Sequence, residues 1–421
     1  MRGDSRRSGH DGARVTAAPR TFYLIAAAGI PNFGDDAIAR YWIAYLRTRY
    51  PGCRIVLDAF DASVAALLHP TAVCVDHVWR LAEQADPSQP AELRQQLRAR
   101  WSAEAPLPMR ERQLLDCART ATAMHVLGGG YINDLWPRNR NILAVCAALA
   151  DVQGTRVFAT GLGLEPLAAE SAAQLAGLLD ALSHIDLRDM ASVRALEPHV
   201  APELGGRLSC LGDDLLQEDV TKLLVLEDAP PRMHLCVQDE FFGERATAEQ
   251  LQQWLLGEVF AFRRTRPDAQ VVCWELRPVS DARISAWLRG MVPGVVLVPF
   301  EQLWTEGFAF GREDHLLSSR FHFQLVAAAA GLCGTAISWS GYYDTKLGSL
   351  RGFSRWTIYH LGGEEAVRVR FVEPPIAPER AEAIGKRKQA LVASVLYPSV
   401  ARRATPAECL RGGLYRLFRG R

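Results

Sequence analysis

Short apolar runs rich in β-branched residues alternate along this chain with stretches whose apolar residues recur at helical spacing. In the first half the runs are TFYLIAAAGI from Thr21, CRIVLDAF, TAVCVDHVW, MHVLGGG, TRVFATGLG, HIDLRD and RLSCLGDD. Continuously apolar strands separated by helices predict a parallel sheet, because helices on both faces bury both sides of every strand. The rhythm breaks at VLEDAPPRM, Val225 to Met233, where two prolines and two acids suit a linker. It restarts with MHLCVQ, AQVVCWEL, GVVLVPF, HLLS and TAISWS. The expectation is an α/β chain of two Rossmann-like, doubly wound domains facing across a cleft, with ligands at the carboxyl ends of the strands. The expected boundaries are a tail over 1–20, an N-terminal domain over 21–228, a C-terminal domain over 229–375 and a helical segment with a basic tail over 376–421.

The length of 421 residues fits this, since one ordinary core does not grow so large. The net charge of +1 lacks the basic bias of a nucleic-acid binder. The 9 cysteines are scattered, with no Cys-x-x-Cys, and read as reduced small hydrophobes of a cytosolic protein. No run of apolar residues is long enough to predict a transmembrane helix. The first twenty residues are polar and rich in Gly and Arg, and read as a tail and not a signal peptide. The end, LRGGLYRLFRGR, reads as a frayed helix, with weak contact to an anionic membrane surface as the other option. The expected location is therefore cytoplasmic, or peripheral at the inner face of a membrane. One polar, Pro-flanked stretch, EQADPSQPAELRQQLRARWSAEAPLPMRER, reads as a solvated helical excursion.

Several junctions carry chemistry. In SSRFHFQLVAAAAG, Ser318 to Gly331, an arginine and a histidine stand where a strand turns into a helix. Ser318 and Ser319 are N-cap candidates. If the junction is extended, Arg320 and His322 point the same way. Arg320 can then grip a carboxylate or phosphate with a forked pair of bonds, and His322 can move a proton near neutral pH. The alternative is a structural ion pair and a histidine bonded to a carbonyl. The triple glycine of HVLGGGYIND follows a strand, as IPNFGDDAI does. It is not the G-x-G-x-x-G fingerprint of dinucleotide binding. Asp35 or Asp36 suits either a helix cap or a base toward a sugar hydroxyl. SWSGYYDTKLGSL brings Tyr342, Tyr343 and Lys346 to the same sheet edge as Arg320.

Taken in order, NFGDDAI, LGGGYIND, GLGLEP, LRDMASVRAL, LGDDLL, SSRFHFQLVAAAAG and YDTK resemble the motifs of the polysaccharide pyruvyl transferase family over residues 21 to 360. That resemblance implies a fold of the glycosyltransferase-B type. It implies transfer of pyruvate from phosphoenolpyruvate onto two hydroxyls of a sugar in a polysaccharide or glycolipid precursor, forming a ketal and releasing phosphate. The donor side would comprise Ser319, Arg320, His322, Tyr343, Lys346 and Arg277. The acceptor, a sugar or glycan that is lipid-linked in some schemes, would meet Asn32, Asp35, Asp36, Gly129, Gly130, Asn133 and Asp134. His322, Arg320 and Asp35 would carry the reaction, with no metal and no cofactor. Two stretches depart from the family pattern. CVQDEFFG lacks an expected basic residue, and SWSGYY is bulkier than the usual small-residue run. Two other readings stand beside this one. One is a glycosyltransferase using a nucleotide sugar, with Asp239, Glu240 or Glu275 toward the ribose or base. The other is an inactive binding member of the family.

Overall fold

The computed structural model describes residues 20–240, 246–352, 356–362, 368–370 and 378–398. The N-terminal tail, the basic C-terminal tail and the Phe241–Gly243 end of CVQDEFFG lie outside the described residues.

The first seven strands are β1 (Thr21–Ala26), β2 (Arg54–Ala59), β3 (Val73–Val75), β4 (Ala121–Val126), β5 (Val157–Leu162), β6 (His184–Leu187) and β7 (Leu208–Cys210). They form one parallel sheet in the order β3-β2-β1-β4-β5-β6-β7. After β8 (Leu224–Glu227) come β9 (Met233–Cys236), β10 (Val271–Trp274), β11 (Val295–Val298), β12 (Phe308–Gly311), β13 (His315–Ser318), β14 (Gly334–Ser338), β15 (Thr357–His360) and β16 (Arg368–Arg370). The second sheet runs β11-β10-β9-β13-β14-β15-β16, parallel except for β16. In each sheet the strand order reverses beside the first strand, at β1/β4 and at β9/β13. The carboxyl ends at such switch points form a crevice, and here the two crevices face each other.

Three local differences from the sequence reading appear. TAVCVDHVW is a strand only over Val73–Val75, because helix His77–Gln84 starts inside it. The buried Asp58 carboxylate accepts the Val78 N–H at 2.8 Å and so satisfies that helix start. The linker stretch begins as β8, which pairs with β12 in a separate two-stranded sheet. The polar excursion is helical over Pro90–Ser102, but Leu93, Leu97 and Trp101 are buried, so one face packs onto the domain.

The last described segment returns to the first domain. Helix Pro378–Leu391 and a π turn, Val392–Leu396, carry Lys388 and Tyr397 into it. Lys388 is fully buried, with its Nζ 2.7 Å from Asp186, 2.6 Å from Asp214 and 2.6 Å from the Gly212 carbonyl. Burial alone would lower its pKa; the two carboxylates outweigh that and raise it. Tyr397 packs against Phe22, Trp42 and Phe158.

Candidate active site

A cleft of about 620 Å³ lies between the two sheet ends. A larger cavity, about 910 Å³, opens behind it among helix Phe33–Arg49, the 215–223 segment and the C-terminal helix. Its lysines are neutralised there, Lys222 by Glu218 and Lys386 by Glu382. The cleft differs, because among the described residues Lys346 has no carboxylate partner and Arg188 only a loose one, Asp189 at 3.6 Å.

Asn32, Asp35 and Gly130 line the cleft from the first domain; Arg277, Ser319, Arg320, His322, Tyr343 and Lys346 line it from the second. Gly129 lies just beneath, where an added Cβ would sit 3.2 Å from the Asp35 carboxylate. Its φ of +148° and its close approach both call for glycine.

Three residues expected on the acceptor side stand apart from the lining. Asp36 is fully buried and accepts the Gly29 and Asn32 N–H groups, with His69 at 3.3 Å. Asn133 is buried and bonds the Gly130 and Glu165 carbonyls and the Leu135 N–H. Asp134 pairs with Arg140 at 2.5 Å and accepts the Ala168 N–H at 2.7 Å. Their polar atoms hold loops together and are not offered to a ligand. Asp35 remains available: among the described residues its carboxylate accepts only from Asn32 Nδ2, at 2.6 Å. Burial raises its pKa, against the lowering effect of His322 and Lys346, which suits a base.

Arg320 and His322 do not point together, because the helix begins at Phe321 and not earlier. Ser318 Oγ takes the Arg320 N–H at 2.9 Å, and Arg320 itself occupies the N-cap position. Its Nε bonds the buried Asp281 at 2.9 Å, and Nη2 bonds Asp281 and Ser280. Burial would lower the Arg320 pKa; Asp281 outweighs this and raises it. The same carboxylate takes the Leu276 and Arg277 N–H groups, so it also fills the start of helix Pro278–Met291. Among the described residues, Nη1 of Arg320 has no partner and is left for the cleft. His322 turns toward the first domain, with Nε2 3.4 Å from the Asp213 carboxylate.

Tyr343 is buried, and its hydroxyl accepts from Gln238 Nε2. Ser319 Oγ accepts the Gln238 N–H at 3.0 Å. Arg277 pairs with Glu240 at 2.8 Å and Arg283 with Asp239 at 2.7 Å, so this rim is neutralised. Lys346 has no carboxylate partner among the described residues. Its Nζ donates to Tyr342 Oη at 3.0 Å and lies over the Tyr342 and Phe321 rings.

The sequence reading quoted LRDMASVRAL but assigned Arg188 no role. In the structure it is the least satisfied cation of the cleft. Its side chain is 3% exposed, and among the described residues none of its guanidinium nitrogens makes a hydrogen bond. Nε and Nη1 are sealed from solvent. Asp189 is 3.6 Å away, its Oδ1 bonded to Ser192 N–H and Oγ. The guanidinium stacks 4.8 Å over the Phe321 ring of the other domain, and an added Cβ on Gly163 would lie 2.1 Å from Nη2. A buried guanidinium without acceptors is costly. In a cleft this arrangement suits an anion that supplies the missing acceptors.

No family model and no curated protein matches the chain. Among solved structures it is similar to UDP-GlcNAc 2-epimerase from Neisseria meningitidis bound to UDP-GlcNAc. Identity is 10%, over 92% of this chain and 95% of that one, with a TM-score of 0.47. The Methanocaldococcus jannaschii UDP-GlcNAc 2-epimerase gives 9% identity over 88% and 99% of the two chains, with a TM-score of 0.48. The E. coli ADP-heptose LPS heptosyltransferase II gives 14% over 88% and 99%, with a TM-score of 0.35. The chain has a fold of the glycosyltransferase-B type. That statement rests on its own two parallel sheets, their facing switch points and the C-terminal helix that crosses back. Among the described residues no helix is long and apolar enough to cross a membrane.

Proposed function

We propose that the chain is a transferase whose cleft takes a small, doubly anionic donor, and that the reaction is pyruvyl transfer from phosphoenolpyruvate to a sugar. The observation that carries this is Arg188, a buried guanidinium that has no hydrogen-bond acceptor among the described residues, together with Lys346, which has no carboxylate partner among them. A carboxylate and a phosphate on one small molecule would supply what the two cations lack. Arg320 would contribute Nη1 alone, its other donors being committed to Asp281 and Ser280.

The ordered motifs quoted above support the same assignment. His322 would protonate the donor methylene, making it a methyl group. One sugar hydroxyl, losing its proton to Asp35, would bond the central carbon. The second hydroxyl would then displace phosphate, to which its proton passes, and close the ketal. Atoms balance: phosphoenolpyruvate and a diol give a ketal and inorganic phosphate. Phe60, Trp79, Tyr131 and Trp136 wall the first-domain side of the cleft. Such rings suit the apolar face of a sugar.

A nucleotide-sugar donor is the second reading. It is favoured by Asp239 and Glu240, which line the donor-side rim where ribose hydroxyls would need acceptors. Thermal unfolding with each donor separates the two. A ligand at 100 times its dissociation constant adds about 2.7 kcal/mol of stability. Phosphoenolpyruvate is expected to raise the melting temperature, and UDP- or ADP-sugars are not. Phosphate release with a panel of lipid-linked and nucleotide-linked acceptors then tests turnover. Stabilisation by nucleotide sugars alone would replace the first reading with the second.

A further inference from the structure

We infer that Gly34 is a positioning residue: its missing side chain is the socket in which His322 of the other domain seats against Asp213. The reacting centre is then assembled by domain docking and does not exist on either domain alone. That the assembled centre is catalytic rests on the reading above; the docking does not.

Gly34 is buried, the second residue of helix Phe33–Arg49. Nothing in a helical backbone asks for glycine there, and helix propensity favours alanine. The other domain supplies the reason. A Cβ on Gly34 would lie 1.7 Å from Nδ1 of His322, 2.3 Å from Cε1 and 2.4 Å from Cγ. Those three ring atoms are its nearest neighbours. On its other sides the ring meets Asp213 at 3.4 Å and, edge to face, Phe321 at 5.0 Å. A methyl group on residue 34 therefore cannot share the space with the ring, and the ring has to leave Asp213.

The residues around Gly34 on the same helix make the rest of the docking contact. Phe33 N–H donates to the Leu276 carbonyl of the second domain at 2.8 Å, and its ring packs on Phe308 at 5.0 Å. Arg40 donates to the Trp304 carbonyl at 3.0 Å and lies 4.2 Å over that ring. The helix start is thus both the edge of the cleft and the surface on which the second domain rests. A ring pushed out of the Gly34 socket separates these surfaces.

The test is Gly34→Ala against wild type, His322→Ala and the double variant, using small-angle X-ray scattering without ligand. Wild type should match scattering calculated for the docked domains, near the radius of gyration of about 22 Å for a compact chain this long. Gly34→Ala should lose that match, with a larger radius of gyration and an unreduced far-UV helix signal. His322→Ala makes room, so the double variant should regain the docked profile, a non-additivity that only direct contact gives. If Gly34→Ala fails to fold while the double variant folds, the clash is again with His322 and the inference stands. A docked profile for Gly34→Ala overturns it. So does a double variant that stays open or unfolded, or a wild type that is open. Phosphate release is the separate readout. No turnover by wild type, with the scattering pattern as expected, would remove the pyruvyl transfer reading and leave the socket.

Discussion

Each domain sets an arginine just past the end of a strand, beside a buried aspartate. Arg320 follows β13 and Arg188 follows β6. Asp281 meets Arg320 squarely and takes two of its nitrogens. Asp189 stands 3.6 Å from Arg188 and spends an oxygen on Ser192 instead. The first arginine is part of the scaffold: it ties β13 to the start of helix Pro278–Met291. The second is held in place by stacking on Phe321 and by the absence of a side chain at Gly163, and its donors are left over. A charge tied to a carboxylate of the fold reports on stability; a buried one left without acceptors reports on what the site is built to receive.

Exchanging the charge for an apolar side chain of similar length puts this contrast at risk. Arg320→Met leaves Asp281 buried and unpaired, and should cost about 3–5 kcal/mol of stability in denaturant unfolding. A wild-type midpoint with unchanged slope would show that the ion pair holds nothing. Arg188→Met should cost less, since no hydrogen bond is broken and only the looser charge contacts with Asp189 and Asp213 are lost. It should weaken phosphoenolpyruvate binding about 10- to 100-fold by calorimetry, as loss of charged hydrogen bonds worth about 1.5–3 kcal/mol predicts. Equal destabilisation by both substitutions would erase the distinction between the two arginines.

A smaller effect sharpens the cross-domain contact. Burial would raise the Asp213 pKa, but the charges of His322 and Arg188 outweigh it and hold the carboxyl at about 2. The folded protein thus keeps Asp213 ionised at pH values where the unfolded chain takes up a proton. The resulting stabilisation, about 2 kcal/mol, is complete above roughly pH 4 and disappears as the pH falls through about 2. Asp213→Asn should flatten stability over that window, followed by urea unfolding at a series of pH values. An unchanged acid limb would mean that the pairing across the domains contributes nothing in solution.

The fold was legible because it depends on local pattern. β1 is buried along its whole length and reads as an apolar run; helix Phe33–Arg49 shows helical spacing, with acids in its first turn and arginines in its last. The strand-to-helix junction at Arg320 was legible for the same reason. Its ion pair was not, because Asp281 lies 39 residues earlier on another helix. Arg188 was harder still. Its character comes from a glycine on a neighbouring loop and a phenylalanine in the other domain. Glycine-rich turns were a usable sign, since each marks a place where something comes close. They do not say what comes close, as Gly34 shows. Lys388 gave no sign at all, lying in PERAEAIGKRKQAL among residues that look solvated.

That lysine bears on how the chain is made. Synthesis delivers the first seven strands well before residue 388, by roughly ten to thirty seconds at about 5–20 residues per second. Until then Asp186 and Asp214 have no ammonium between them, and two like charges must share a closing core or remain wet. The domain that begins first is therefore finished last. The final helix acts as a late keystone, and a ribosome-bound chain lacking it would expose the very floor on which the glycine loops sit.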